Sequence, residues 1–275
     1  MASGVEEIEP RPRIAASLAL LCVLAPTACR SGDSASLADA GATPFPSVSL
    51  KPGKGITVVG LGDSVPAGGG GCDCVNFVQA YGNLVTARTQ HLSTVDNFAV
   101  GGTTSGDVVD EMSQPDVVAA TKDATIVLIM TGANDYDDAF DEASIGFDPT
   151  AAYAQVATVV QDNVTNTIGK IKALNSKARV VVLDYWAAEE DGEVARIQYD
   201  PTTMDAAIAC TTSVNTALAL AAKASGATYV STYTAFKGAN GTKDDSDLLG
   251  SDGDHPNAAG QLVIAQAIAA AYPKG

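Results

Sequence analysis

Ser64, in Gly62-Asp63-Ser64, and His255, in Asp252-Gly253-Asp254-His255-Pro256, are the residues of this chain best suited to chemistry. A serine hydroxyl is a weak nucleophile at neutral pH. It needs a base within hydrogen-bond reach, and the base needs an orienting partner. Histidine is the usual proton shuttle, and the chain holds two, His91 and His255. Only His255 has a carboxylate three residues upstream, Asp252, close enough on one turn to orient an imidazole. His91 lies among Gln90, Ser93 and Thr94 and is expected on the solvated surface. Asp254 is the lesser alternative orienter, because its side chain is expected to point away from His255. Acyl transfer also needs donors at the developing oxyanion. The N–H of Ser64, the N–H of Gly102 and the side-chain amide of Asn134 would supply three. Glycine suits the second position because the backbone must approach the substrate closely. Asp63 is expected to hold the nucleophile loop through backbone N–H groups. Such a set would hydrolyse an acyl ester and calls for no cofactor and no metal.

These residues are far apart in sequence, so the fold must gather them. Short β-branched or apolar runs predict strands at 55–62, 95–100, 125–130, 179–185 and 227–230. Apolar positions at helical spacing predict helices over 76–90, 149–174, 203–225 and 257–271, with short helical turns at 104–112 and 116–121. Strands alternating with helices predict an open, mostly parallel sheet covered on both faces, in one domain over 55–275. Ligands in such sheets bind outside the carboxyl ends of the strands. Asp63-Ser64 follows the first strand, Gly101-Gly102 the second and Asn134 the third, while Asp252 and His255 precede the last helix. All can therefore share one edge. Tyr185 and Trp186 fall at that edge too, as pocket lining or as core. The acidic stretches 135–142 and 244–254 do not fit the EF-hand pattern and are expected as solvated loops.

The 275 residues are 46% hydrophobic with a net charge of −16, which excludes a basic stripe for nucleic acid. Arg11 and Arg13 precede an apolar run, Ile14 to Leu24, of signal-peptide length and too short to span a bilayer. Residues 1–29 are therefore expected to be a signal segment, and the Ser/Ala/Gly/Pro-rich residues 30–54 a flexible linker. A small residue before Cys29 resembles a bacterial lipoprotein signal, in which Cys29 would be lipidated. The expected location is secreted, or anchored at the outer face of a bacterial membrane. Beyond Cys22 and Cys29 remain Cys72, Cys74 and Cys210. The simplest pairing is Cys210 with Cys72 or Cys74 and one free thiol. A Cys72–Cys74 bridge is possible but tight.

The motifs carry a resemblance. Gly62-Asp63-Ser64 with Gly68 downstream looks like the first block of the SGNH hydrolases, the GDSL esterases and lipases. Asn97-Phe98-Ala99-Val100-Gly101-Gly102-Thr103-Thr104 resembles the second block, Gly132-Ala133-Asn134-Asp135 the third, and Asp252 to Pro256 the fifth. They occur in family order and frame residues 62–256. The resemblance implies a flavodoxin-like α/β/α sandwich, a Ser64–His255–Asp252 triad, and oxyanion donors at Ser64, Gly102 and Asn134. Val65 stands where leucine is common. Pro66 excludes the Gly-x-Ser-x-Gly elbow of ordinary α/β-hydrolases. The expected protein is an exported, monomeric serine esterase acting on a small-molecule, lipid or acylated-carbohydrate ester, with small or medium acyl groups favoured. The alternative is a non-catalytic carbohydrate- or lipid-binding module on the same scaffold.

Overall fold

The computed structural model describes Gly53 and residues 55–271. The expected signal segment, Cys29 and all of the linker but Gly53 lie outside the described residues. In chain order the elements are β1 (Thr57–Gly62), α1 (Ser64–Ala67), α2 (Phe77–Thr89), β2 (Thr94–Asn97), α3 (Ser105–Glu111), α4 (Pro115–Asp123) and β3 (Ile126–Met130). A 3₁₀ turn (Asn134–Tyr136) leads into α5 (Asp137–Ser144), α6 (Thr150–Leu174), β4 (Arg179–Leu183), α7 (Gly192–Gln198) and α8 (Pro201–Ser225). The chain continues through β5 (Thr228–Val230), α9 (Thr232–Lys237), a second 3₁₀ turn (Ser246–Leu248) and α10 (Ala258–Ala271).

The five strands form one sheet in the order β2-β1-β3-β4-β5, with every pair parallel. This is the flavodoxin-like order, and its direction of winding reverses between β1 and β3. Helices α2 and α10 pack together on one face, with α9 beside α10, while α6 and α8 pack together on the other with α3, α4 and α5. Both faces are thus covered, which is why all five residues of β3 and four of the five in β4 are buried, apolar and largely β-branched. The expected α/β/α sandwich is the observed fold.

Several differences from the expected elements have local causes. The second strand ends at Asn97 rather than residue 100. Phe98 and Val100 still donate to the carbonyls of Gly60 and Gly62, each at 2.9 Å, but Val100 is exposed and the chain is already peeling toward Gly101. The fourth strand stops at Leu183 because Tyr185 N–H leaves the ladder and donates to the Asn215 side chain at 2.9 Å. The acidic stretch expected as a loop is largely helix α5, whose Phe140 and Ala143, three positions apart, are buried as α5 packs on α8. Likewise Asp245, in the second acidic stretch, is buried and ion-paired with Lys237 at 3.4 Å.

Gly62 shows how closely β1 and β3 approach at the carboxyl edge. Its φ is +137°, and a Cβ there would stand 1.7 Å from the carbonyl oxygen of Met130. Backbone atoms cannot yield as a flexible side chain does. Gly62→Ala is expected to lower the unfolding free energy by more than about 3 kcal/mol, or to prevent folding, as read by urea denaturation followed by circular dichroism.

Candidate active site

The nucleophile position is built from Asp63. Its carboxylate accepts the Val65 N–H at 3.1 Å and caps α1, so Ser64 opens a four-residue helix ended by left-handed Gly68. The backbone N–H of Asp63 donates to Met130 O at 3.2 Å, and the hydroxyl of buried Tyr185 donates to its second carboxylate oxygen. The expected loop-holding role of Asp63 is what the geometry has, with a partner on β4's trailing loop that the sequence did not reveal. Burial pushes the Asp63 carboxyl up to about 7, against the lowering effect of its bonds to Tyr185 and Val65. Burial, and then the charge of Asp63, push the Tyr185 hydroxyl well above its ordinary value.

The second strand-end loop is latched onto the first. Asn97 Nδ2 donates to Pro66 O at 2.8 Å, and the Thr103 hydroxyl lies 3.1 Å from Gly62 O. Gly102 has φ +80°, and nothing lies within 4 Å of where its Cβ would be. Glycine is required there by the backbone conformation, and the space in front is open. A Cβ on neighbouring Gly101 would be 3.7 Å from Ser64 Cβ. Thr104 then starts α3 with a reciprocal capping box to Asp107.

Asn134, after β3, donates through Nδ2 to Thr103 O at 2.8 Å, leaving its second amide proton unused by that bond. The next residue, Asp135, grips the start of α3, taking the Ser105 N–H at 2.7 Å and the Ser105 hydroxyl at 2.6 Å. The second and third loops are therefore one unit. The N–H groups of Ser64 and Gly102 donate to no other described residue. Asn134 also borders a cavity of about 420 Å³ lined by Thr104, Asp135, Asp137 and Asn163 among others.

At the last loop, His255 Nδ1 lies 2.9 Å from Asp252 Oδ2, and Asp252 Oδ1 accepts the N–H groups of Asp254 and His255 at 3.1 Å each. Burial raises the Asp252 carboxyl, but the bonds from His255 and the Asp254 N–H outweigh it and hold the group below its ordinary value. Asp254 does not point away as expected: its Oδ2 is 3.3 Å from His255 Nδ1. Its carboxyl is raised, by burial first, against the pull of His255 and with the repulsion of Asp252 and Glu190. The shorter contact and the more stable charge both belong to Asp252. His255 Nε2 is buried and has no hydrogen-bond partner among the described residues. The point where a Cβ on Gly69 would stand is 3.0 Å from that Nε2 and 2.9 Å from Ser64 Cβ, so base and nucleophile face the same small space.

The remaining candidates separate. His91 sits at the amino end of the sheet, near Ile56, the far end of β1 from Ser64. It is half-buried rather than solvated, because Gly53 packs on its ring, with its Cβ position 2.7 Å from Cε1. Trp186 is core, stacked on Phe236 at 4.4 Å, and borders a cavity of about 790 Å³ along α8 and β5 that none of Ser64, Asp252 and His255 lines. The expected pairing of Cys210 is overturned. Cys72 bridges Cys74, and Cys210 is free, buried on α8 with Sγ 3.9 Å from Glu189. Carboxylates crowd this edge: burial, then Asp137, Asp254, Glu190 and Asp141, push Glu189 up to about 8.

Sequence and structure comparisons identify the family and the fold. The profile of the GDSL-like Lipase/Acylhydrolase family matches residues 61–263. No curated protein sequence matches the chain significantly. Among solved structures, a lipase from a goat rumen metagenome superposes with a TM-score of 0.63 at 18% identity, covering 79% of this chain and 97% of that one. Phospholipase A1 from Streptomyces albidoflavus gives 0.58 at 21%, covering 79% and 99%. An acetylxylan esterase from Geobacillus stearothermophilus gives 0.56 at 18%, covering 81% and 96%. At these identities the likeness is one of fold.

Asp63 provides a pH test. Its folded value near 7 lies above the ordinary 3.8, so the folded state holds the proton more tightly between those values. Unfolding then releases a proton, and stability falls as pH rises through that window. Asp63→Asn removes this dependence. Between pH 5 and pH 8 the wild type should lose about 2 kcal/mol more than the variant, measured by urea unfolding at both pH values.

Proposed function

Because the chain belongs to the GDSL-like lipase/acylhydrolase family and is thus a carboxylic ester hydrolase, we propose that it works through Ser64, His255 and Asp252, with an acyl-enzyme intermediate. Ser64 Oγ attacks the ester carbonyl and His255 Nε2 takes its proton. Asp252 holds Nδ1–H and stabilises the imidazolium. The same histidine then returns the proton to the departing alcohol, and a water repeats the sequence to release the acid. The negative oxygen of each tetrahedral intermediate is met by Ser64 N–H, Gly102 N–H and the second amide proton of Asn134.

The observation that carries this reading is the unpartnered Nε2 of His255. It shares one small space with Ser64, while Nδ1 is held at 2.9 Å by Asp252. An imidazole anchored on one nitrogen and free on the other is arranged to accept a proton from the serine side. The free N–H groups of Ser64 and Gly102, and the latches on their loops, supply donors that need no rearrangement when charge develops.

Ser64→Ala is expected to lower kcat on a chromogenic short-chain acyl ester by roughly 10⁴–10⁶-fold with the fold retained, and to abolish fluorophosphonate labelling. Asn134→Ala should lose about 10²–10³-fold in kcat. Turnover and labelling that survive in Ser64→Ala would sink the assignment. A wild-type protein that takes up no fluorophosphonate and turns over no ester would favour a binding module instead.

The same proposal includes export. It rests on Arg11 and Arg13 ahead of the apolar run and on Ala28-Cys29. The mass of the mature chain from a bacterial host should begin at Cys29 with a diacylglyceryl addition. A mass that retains Met1 to Ala28 contradicts export by this route.

A further inference from the structure

The segment between α1 and α2 supplies neither a triad group nor an oxyanion donor, yet it lies against the triad. Gly68, Gly70 and Gly71 have φ of +88°, +80° and +70°, a run that side-chain-bearing residues rarely adopt. Gly69 N–H donates to Ser64 O at 2.7 Å. A Cβ on Gly69 would stand 2.9 Å from His255 Cδ2 and from Ser64 Cβ. A Cβ on Gly70 would stand 2.3 Å from His255 Cβ, 2.8 Å from its Cγ and 2.9 Å from Asp252 Oδ2. On Gly71 it would meet nothing within 4 Å. The bare backbone of Gly69 and Gly70 is therefore a wall against the imidazole and against the carboxylate that orients it.

Past the glycines the strap is closed by the Cys72–Cys74 disulfide, with Cα atoms 5.1 Å apart and a sequence separation of 2. It then enters α2 through Asn76, whose side chain accepts Gln79 N–H at 2.9 Å. A bridge that closes so short a loop removes little entropy from the unfolded chain. Its constraint falls on the strap rather than on the fold. Both cysteines are partly exposed, within reach of a reductant.

We propose that the Gly68–Cys74 strap is the positioning element of the catalytic base: Gly69 and Gly70 hold the His255 ring between Asp252 and Ser64, and the Cys72–Cys74 bridge holds the strap in that place. The proposal rests on His255 being the base. Its consequence is that turnover responds to the redox state of a bond that takes no part in the chemistry. With a trialkylphosphine the balance is simple. Phosphorus attacks one sulfur and the S–S bond breaks. Water then supplies the oxygen of the phosphine oxide and the hydrogens of the two thiols.

Two comparisons test it on the full-length protein. Gly70→Ala and Gly71→Ala impose similar left-handed strain, but only the first pushes a methyl into His255. Gly70→Ala should lose about 100-fold in kcat with KM nearly unchanged, and Gly71→Ala, which adds strain but no contact with His255, should lose at least about tenfold less. Equal losses in both would overturn the positioning role, leaving backbone strain as the whole effect. In the second comparison, phosphine reduction should lower kcat about tenfold and reoxidation should restore it, with the thermal midpoint little changed. A Cys72→Ser/Cys74→Ser double variant should start at the reduced value and ignore the phosphine, which excludes an effect through Cys210. Full activity in the reduced enzyme and in the double variant would overturn the role of the bridge, and these arms decide the matter if Gly70→Ala does not fold. Failure of the triad itself is read separately, from turnover in Ser64→Ala.

Discussion

A single buried carboxyl holds the functional edge together. Asp63 joins the end of β1 to Met130 at the end of β3 through its backbone, and to Tyr185 beyond β4 through its side chain. It also caps the helix that Ser64 begins. A helix of four residues has no stability of its own, so the nucleophile keeps its place only because Asp63 is fixed beneath it. Removing a carboxyl from water is costly unless its oxygens find donors. Here the donors come from α1 and from the loop after β4, so meeting that need also sets the spacing of three strand ends.

The site then follows from topology. In a sheet wound 2-1-3-4-5, the chain leaves β1 and β3 in opposite directions and opens a crevice between their carboxyl ends. Ser64 stands on one side of that crevice and Asn134 on the other. Two latches keep the crevice from splaying: Asn97 to Pro66 ties the loop after β2 to α1, and Asp135 to Ser105 ties the turn after β3 to α3. His255 arrives from outside the sheet, carried by the loop before α10, and its Nδ1 is held by Asp252 of the same turn. That turn is independently anchored, since Gly250 N–H donates to His255 O at 2.7 Å and Asp191 N–H to Gly253 O at 2.8 Å.

Most of the fold was legible because its signals are local. The uninterrupted apolar runs of β3 and β4 and the long helical periods of α6 and α8 announce themselves within one segment. Helices α7 and α9, of seven and six residues, did not. The chemical residues were legible through scarcity, with only two histidines to choose between. What could not be read were meetings across long separations. Tyr185 finds Asp63, 122 residues away, and Ser105 finds Asp135, 30 residues away. The odd count of Cys72, Cys74 and Cys210 left one thiol free without saying which, and the burial of Cys210 on α8 is a fact of tertiary packing. Asp254 was misjudged for a related reason: the turn that bends His255 back onto Asp252 brings the intervening carboxylate to the same nitrogen. The four consecutive glycines from Gly68 to Gly71 mark a place where backbone passes close to other groups, here His255 and Asp252.

The pairing of Cys72 with Cys74 also bears on how the chain matures. Two thiols with one residue between them meet far more often than either meets Cys210, more than 130 positions away, because closure probability falls with loop length. The bridge can form before any tertiary structure exists, and the folded core then sequesters the third thiol, whose burial beside Glu189 keeps it protonated and unreactive. Oxidation is thereby uncoupled from folding. Among the described cysteines, the local bridge leaves Cys210 as the thiol that the core encloses.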